Sequence, residues 1–312
     1  MSSLREKLER LNRLHIRNKL GKKGDRDNGP VPIKNLTPAK PKKFCTLDTS
    51  KWGGVQEDTS TFNRGEGKEK STRLELSIPC LRKEWKKEKD FFRIKRHMHT
   101  FWTRSKTFDS LFYKTLSEKE NPFEIFGLGS GPETWCFLDL ETCGFSGSNV
   151  FLIGAGYFKD GGFHLDQFFA RDYDEEAAIV QGFWSLFESF DTLITFNGKS
   201  FDWPFLEERS FVHKLPPRPP QYHLDIFHFA RRHWKGCLPN YKLQTLEEIF
   251  CRRSRVGDLP GRLIPQAYHD FVAEPDLPSQ MVAAVHHNAL DIITMAELML
   301  VVISQESCIG KY

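Results

Sequence analysis

The sequence predicts an α/β fold in which a mixed sheet is flanked by helices. Three observations carry this. Apolar runs of strand length open the body of the chain, and two of them are joined by the turn Lys159-Asp-Gly-Gly. A long segment with helical apolar spacing follows. Strand-like and helix-like segments then alternate. Short apolar runs bounded by turn residues read as strands, and three- and four-residue spacing reads as helix. Their alternation builds a sheet covered by helices.

Taken in order, residues 2–20 place Leu4, Leu8, Leu11 and Leu14 at roughly helical spacing among basic residues, which predicts a short amphipathic helix. Residues 21–70 are rich in Lys, Pro, Gly, Ser and Thr and lack periodicity. Such a composition buries too little apolar surface to order itself. Residues 72–115 mix aromatic and charged residues and are expected to add a few strands packed on the main domain. Strands are expected at 135–140, 149–158 and 162–169, the last two forming a hairpin. A helix over 172–190 follows, with Ala177, Ile179, Val180, Phe183, Leu186 and Phe187 on its apolar face. The strand at 193–196 leads into an Asn-Gly turn, and helices are expected at 203–213, 223–234, 243–251 and 279–303. The expected division is a basic, mostly disordered arm at 1–71, an extension at 72–133, a compact domain at 134–304 and a tail at 305–312.

The net charge of +4 conceals an asymmetry. Residues 1–100 carry 26 Lys and Arg against 13 Asp and Glu, whereas residues 101–312 carry 19 against 28. A basic front suggests attraction to a polyanion, and an acidic body suggests acids retained for chemistry. The seven cysteines form no C-x-x-C pair and are odd in number, which suits a reduced, cytoplasmic protein. Charges break the longest apolar stretches, so no membrane-spanning segment is expected. The N-terminus lacks the apolar core of a signal peptide. Cys and His fall at no spacing that suggests structural zinc.

Three patches carry the candidate chemistry. Asp139 and Glu141 end the apolar run Trp135-Cys-Phe-Leu. Strand side chains alternate, so both acids project to one face and repel unless a cation or proton lies between them. Asp202 closes Phe196-Asn-Gly-Lys-Ser-Phe-Asp, where it equally suits a helix N-cap with Pro204 in the first turn. Asp291 lies in a largely apolar helix, where a charge is costly unless paired, metal-bound or facing a cleft. Hard oxygen donors of this kind suit Mg²⁺ or Mn²⁺.

The strand-borne D-x-E-T, the N-G-x-x-x-D before a helix and the H-x-x-x-D on a last helix resemble the DEDD 3′-5′ exonuclease superfamily. More narrowly, residues 134–303 resemble the YprB-type ribonuclease H-like domain. Phe151-Leu-Ile-Gly, Gln167-Phe-Phe, His223-Leu-Asp, Ala230-Arg-Arg-His-Trp, Leu243-x-x-Leu-Glu, Gly261-x-x-Ile-Pro and His287-Asn-x-x-Asp-Ile carry that match. The resemblance implies a ribonuclease H-like mixed five-stranded sheet. It also implies a metal-dependent nuclease, expected to be a two-metal 3′-5′ exonuclease on single-stranded ends of DNA or RNA. Asp139, Glu141, Asp202 and Asp291 are its implied ligands of two Mg²⁺ or Mn²⁺ ions. A base that orients or deprotonates water is implied at His287 or His286. In a helix His287 shares a face with Asp291 at i, i+4, so it is preferred and His286 is the alternative. Thr142, Asn197 and Lys199 are the expected substrate contacts. Asp225, opening a helix, is read as structural, with Arg231 and Arg232 as possible partners of it or of a nucleic-acid backbone. Trp203 and Tyr268 are the two aromatic residues near the motifs taken as candidates for base stacking. An endonuclease of the same fold, or a catalytically silent nucleic-acid-binding or scaffolding protein, are the alternatives.

Overall fold

The computed structural model describes residues 85–88, 91–97, 105–117, 128, 131–255, 257–275 and 279–309. The arm expected to be disordered at 1–71, and its Leu4–Leu14 helix, lie outside these residues.

One sheet runs through the fold. Its strands are β1 (Trp85–Glu88), β2 (Phe91–His97), β3 (Trp135–Thr142), β4 (Val150–Lys159), β5 (Gly162–Phe169), β6 (Thr192–Thr195) and β7 (Tyr222–Asp225). Their spatial order is β1-β2-β5-β4-β3-β6-β7. From β1 to β3 every pairing is antiparallel, while β6 and β7 continue parallel to β3. The sheet therefore has seven strands where five were expected. Two of the seven, β1 and β2, fall in the segment 72–115 where a few further strands were expected, and in β2 Phe92 and Ile94 are buried among basic residues. At the other edge β7 occupies the start of the segment expected to be helical, because its four residues are too few to show a period before the helix begins.

The β4–β5 hairpin closes as its sequence implies. Asp160 and Gly161 both have positive φ, 51° and 75°, between the paired residues Lys159 and Gly162. Two such residues give the primed turn whose twist matches the strands.

Helices cover both faces. They are α1 (Ser105–Ser117), α2 (Glu176–Phe187), α3 (Asp202–Val212), α4 (Ile226–His233), α5 (Leu243–Leu246), α6 (Ile264–Ala273) and α7 (Ser279–Ile309). A π-helical turn, Glu247–Cys251, continues α5. Neither α1 nor α6 was expected. On one face Trp135, Phe137, Phe158, Phe163 and Ile194 pack with α1, α4 and most of α7. On the other, Cys136, Leu138, Phe151, Phe168 and Leu193 pack with α2, α6 and the first turns of α7.

The last helix corrects a second expectation. Its stretch Gln280–Ser304, 25 residues, is long and apolar enough to cross a membrane by length and composition, although most of it is buried inside the fold. It is the core helix of the molecule. Two glycines of β4 admit it: a Cβ at Gly154 would lie 2.3 Å from Asn288 Oδ1, and one at Gly156 would lie 2.4 Å from Ile292 Cγ2. Helix and sheet thus approach to backbone distance.

Candidate active site

The C-terminal half of β3 supplies the first two acids. Trp135, Phe137, Asp139 and Glu141 alternate onto one face, the first two buried in the core below and the acids beyond the edge of that core. A register irregularity between Glu141 and Thr142 then breaks the β3–β4 ladder.

Asp202 arrives from the parallel side of the sheet. Strand β6 ends at Thr195, and the turn beyond it is tight. Asn197 adopts φ 65°, and a Cβ at Gly198 would meet Thr195 Cβ at 2.5 Å. Asp225, at the end of β7, holds this turn by accepting the Asn197 amide at 2.7 Å and the Lys199 amide at 3.1 Å. It also caps α4 through the Phe227 amide. Its structural reading therefore has a definite content, the shape of the loop that delivers Asp202. Phe201, not Asp202, is the N-cap of α3; the Asp202 carboxylate instead accepts the Leu140 amide of β3 at 3.1 Å. The acids thus gather beyond the carboxyl ends of parallel strands, where open α/β sheets place their ligands.

Helix α7 completes the cluster. Asn288 donates to the Asp139 carbonyl at 3.0 Å and to its carboxylate at 2.8 Å, which pins helix to strand. Gln167 in turn donates to Asn288 at 2.7 Å. One turn further, Asp291 shares a face with His287, whose Nε2 stands 3.4 Å from Asp291 Oδ2.

Burial and mutual repulsion dominate the electrostatics. Burial, then the charges of Asp291, Glu141 and Asp202, hold the Asp139 carboxyl well above the usual range. Burial pushes Glu141 up to about 8 although the neighbouring His287 works against it. Burial lifts Asp202 to about 7 against the hydrogen bond from Leu140. For His287 burial alone would lower the pKa, but the hydrogen bond to Asp258 and the charges of Asp291 and Glu141 raise it to about 9. His286 is driven down to about 3 by burial and by the charge of Arg96.

The four acids feel one another, yet among the described residues no three His, Cys, Asp or Glu groups stand together as a ready metal cage. The two facts are compatible, because Coulomb interactions reach well beyond the roughly 2 Å of a metal–oxygen bond. Protein donors hold part of the cluster instead. Arg255 Nη2 binds Asp291 Oδ1 at 2.5 Å, Asn288 binds Asp139, and Leu140 binds Asp202. The donor chemistry nonetheless fits divalent Mg²⁺ or Mn²⁺: hard, half-buried carboxylate oxygens that repel one another and outnumber the charges of Arg255 and His287.

Among the remaining expected residues, the Thr142 hydroxyl donates to the Gly144 carbonyl at 2.7 Å and so serves the local turn. Lys199 is exposed beside the Asp202 loop. Tyr268 is fully buried and stacked on Phe151, 4.0 Å between ring centres, which removes it as a base-stacking residue. Trp203 packs edge-on against Trp184 and is half-buried. Arg231 lies over the Phe227 ring, and both Arg231 and Arg232 are exposed on α4. Three residues without an assigned role in the sequence stand in the site: Arg255, Asp258 and Asn288. Asn288 falls inside a quoted motif, whereas Arg255 and Asp258 lie in a loop that no period marks.

These shifts predict a pH dependence. Glu141, Asp202 and His287 all have folded-state values above their ordinary ones, so near neutrality the folded chain holds more protons than the unfolded chain. Stability then falls as pH rises. His223, lowered to about 4, and His286 act oppositely, but that effect fades as the unfolded imidazoles titrate around their ordinary value of 6.5 and is outweighed by the three raised groups. With EDTA present, the melting temperature is expected to fall steadily from pH 6.5 to 9, and added Mn²⁺ is expected to restore it most at pH 9. A flat or rising melting curve across that window would overturn this electrostatic account.

Comparison with known proteins agrees with the fold. The family description matching residues 136–303 is the RNase_H superfamily. The chain is 33% identical over 169 residues, 52% of its length, to the uncharacterized protein YprB of Bacillus subtilis (strain 168). That match spans 40% of the length of the curated relative. Among solved structures, the family B DNA polymerase from Pyrobaculum calidifontis is similar at 16% identity and a TM-score of 0.45, over 54% of this chain and 24% of the polymerase.

Proposed function

The chain belongs to the RNase_H superfamily as a YprB-type ribonuclease H-like protein, and from that premise we propose that it is a metal-dependent nuclease, a 3′-5′ exonuclease acting on single-stranded nucleic-acid ends. One observation carries the reading. Asp139 and Glu141 from a strand and Asp202 from a loop-helix junction are each held above their ordinary pKa by burial and by the charge of Asp291 on the last helix, so the four converge on one half-buried site.

These four carboxylates would hold two divalent cations. When bound, the ions supply an acidified water and charge compensation at the departing oxygen of an in-line displacement. The chain does the rest. Asn288 fixes the Asp139 side chain, and the turn built on Asp225 fixes Asp202. His287 presents Nε2 toward Asp291, at the position from which a water proton can be accepted. The Asp258 hydrogen bond keeps the His287 ring basic, and the attraction of Asp291 and Glu141 that adds to it would be weakened if those acids held cations. Lys199 and the Asn197 turn lie beside Asp202, where a phosphate backbone would be contacted. The exposed cations of α4 extend that surface.

The hold of Arg255 on Asp291 is the observation that favours the second reading, a silent nucleic-acid-binding or scaffolding domain. An assay separates the two. Single-stranded DNA and RNA labelled at either end are incubated with Mn²⁺, Mg²⁺ or EDTA. Metal-dependent release of mononucleotides from the 3′ end is the expected result. Internal fragments would point to an endonuclease, and tight binding without cleavage to the silent domain.

A further inference from the structure

The loop between the π-helical turn and α6 contains a device that the four acids and the histidine do not explain. Arg255 is nearly buried and spends its whole guanidinium on carboxylates. Nε donates to Glu247 at 2.6 Å, Nη1 to Asp258 at 3.2 Å and Nη2 to Asp291 at 2.5 Å. Asp258 Oδ2 meets His287 Nδ1 at 2.8 Å, and His287 Nε2 returns to Asp291 at 3.4 Å. Four side chains therefore close a ring, two from the loop and two from α7.

The ring has a rigid root. Arg253 pairs with Glu247 through Nε and also reaches Thr294 at 3.0 Å and Glu297 at 2.6 Å, both on α7 beyond Asp291. Glu247 is buried on the π-helical turn. A guanidinium is a planar fork, so fixing its Nε edge fixes where the other two nitrogens point. Ion pairs this buried give little net stability, because desolvation cancels most of the attraction. Their value here is orientation.

We propose that Arg255 and Asp258 form a positioning clamp, with Arg255 setting the rotamer of Asp291 and Asp258 setting the imidazole of His287. A carboxylate on one ring nitrogen fixes which way the other faces, as it does for metal-bound histidines. Asp258 is thus a positioning residue: it acts through His287 and touches no reacting atom. Its second oxygen, Oδ1, is buried with no hydrogen-bond partner among the described residues, so the carboxylate's engaged side is the one turned to His287 and Arg255. The catalytic consequence of the clamp, though not its geometry, rests on the nuclease reading above.

The test uses the full chain with Asp258→Ala, Asp258→Asn, Arg255→Lys, His287→Ala and the Asp258→Ala/His287→Ala pair. Crystal structures report the imidazole, and kcat and KM on a single-stranded oligonucleotide with Mn²⁺ report the chemistry. In Asp258→Ala the ring is expected to leave its place beside Asp291, with kcat falling roughly 10- to 100-fold and KM changing little. Asp258→Asn, whose amide oxygen still accepts from Nδ1, recovers most of kcat. Arg255→Lys, a single point charge, releases Asp291. The paired variant is no slower than His287→Ala alone, since both changes act through one side chain. The clamp is overturned if the imidazole keeps its position without the Asp258 carboxylate, or if the two losses multiply. Displacement of the ring in a protein whose wild type leaves every oligonucleotide intact would support the clamp and sink the nuclease reading instead.

Discussion

Asp139→Asn is expected to lower phosphodiester cleavage on the order of a thousandfold while raising the melting temperature of the metal-free protein. The first effect follows from the proposed role. A metal ligand stabilises transition-state charge by several kcal/mol, and about 4 kcal/mol is roughly three powers of ten in rate. The second follows from electrostatics already present in the fold. Asp139 is held above its ordinary pKa by burial and by three neighbouring carboxylates. A neutral amide of the same shape removes that repulsion and still accepts from Asn288. In a domain of this size about 1 kcal/mol of relief moves the midpoint by roughly 2–4 °C. The measurements are kcat on a 3′-labelled oligonucleotide and melting in EDTA at pH 8. A variant both inactive and less stable would mean that Asp139 is a structural residue; one that keeps near-full activity would end the metal-ligand assignment.

Gly156→Ala is expected to show the largest loss of stability, about 1–3 kcal/mol as for other overpacked cores. The added methyl would stand 2.4 Å from Ile292 Cγ2 and 2.6 Å from Phe163 Cζ. Neither neighbour can yield, since both are buried in the same core and Ile292 lies on the helix that must stay against the sheet. Because Ile292 follows Asp291 directly, activity is expected to fall with stability. Gly154→Ala presses on the Asn288 amide instead, so it is expected to lose the grip on Asp139 first. Urea unfolding and kcat measured together distinguish the two. Unchanged unfolding in Gly156→Ala would show that the helix has room to retreat.

How much of this was readable in the chain depends on the kind of signal each residue leaves. Asp139 and Glu141 follow an apolar run, and strand alternation puts them on one face without further information. Asp291 stands out because a charge in an apolar helix demands a reason. The expected strands 149–158 and 162–169 lie within a residue of β4 and β5, since apolar length and a strong turn coincide there. Elements whose pattern is short or diluted were missed or left without bounds. The strands β1 and β2 fall within the segment where a few were expected, but their charged residues left the bounds open, and β7 is four residues running straight into α4. The apolar face of α6, Ile264, Ala267, Tyr268 and Phe271, is regular but occupies only ten residues and opens on a proline. The clamp residues leave no local trace. Arg255 and Asp258 gain meaning only from Asp291 and His287, which are 36 and 29 positions away. Asn288 reaches Asp139 across 149. Contacts of that range belong to the folded topology.

The dependence of the cluster on α7 has a bearing on biosynthesis. Translation delivers Asp139, Glu141 and Asp202 first, and the helix bearing His287 and Asp291 last among the described elements. While that helix is still within the ribosome, the emerging polypeptide exposes an incomplete set of acids and an open apolar sheet face. The set of four acids is therefore complete only once this helix has emerged and closed on the sheet, and any chemistry that needs all of them waits for that last step.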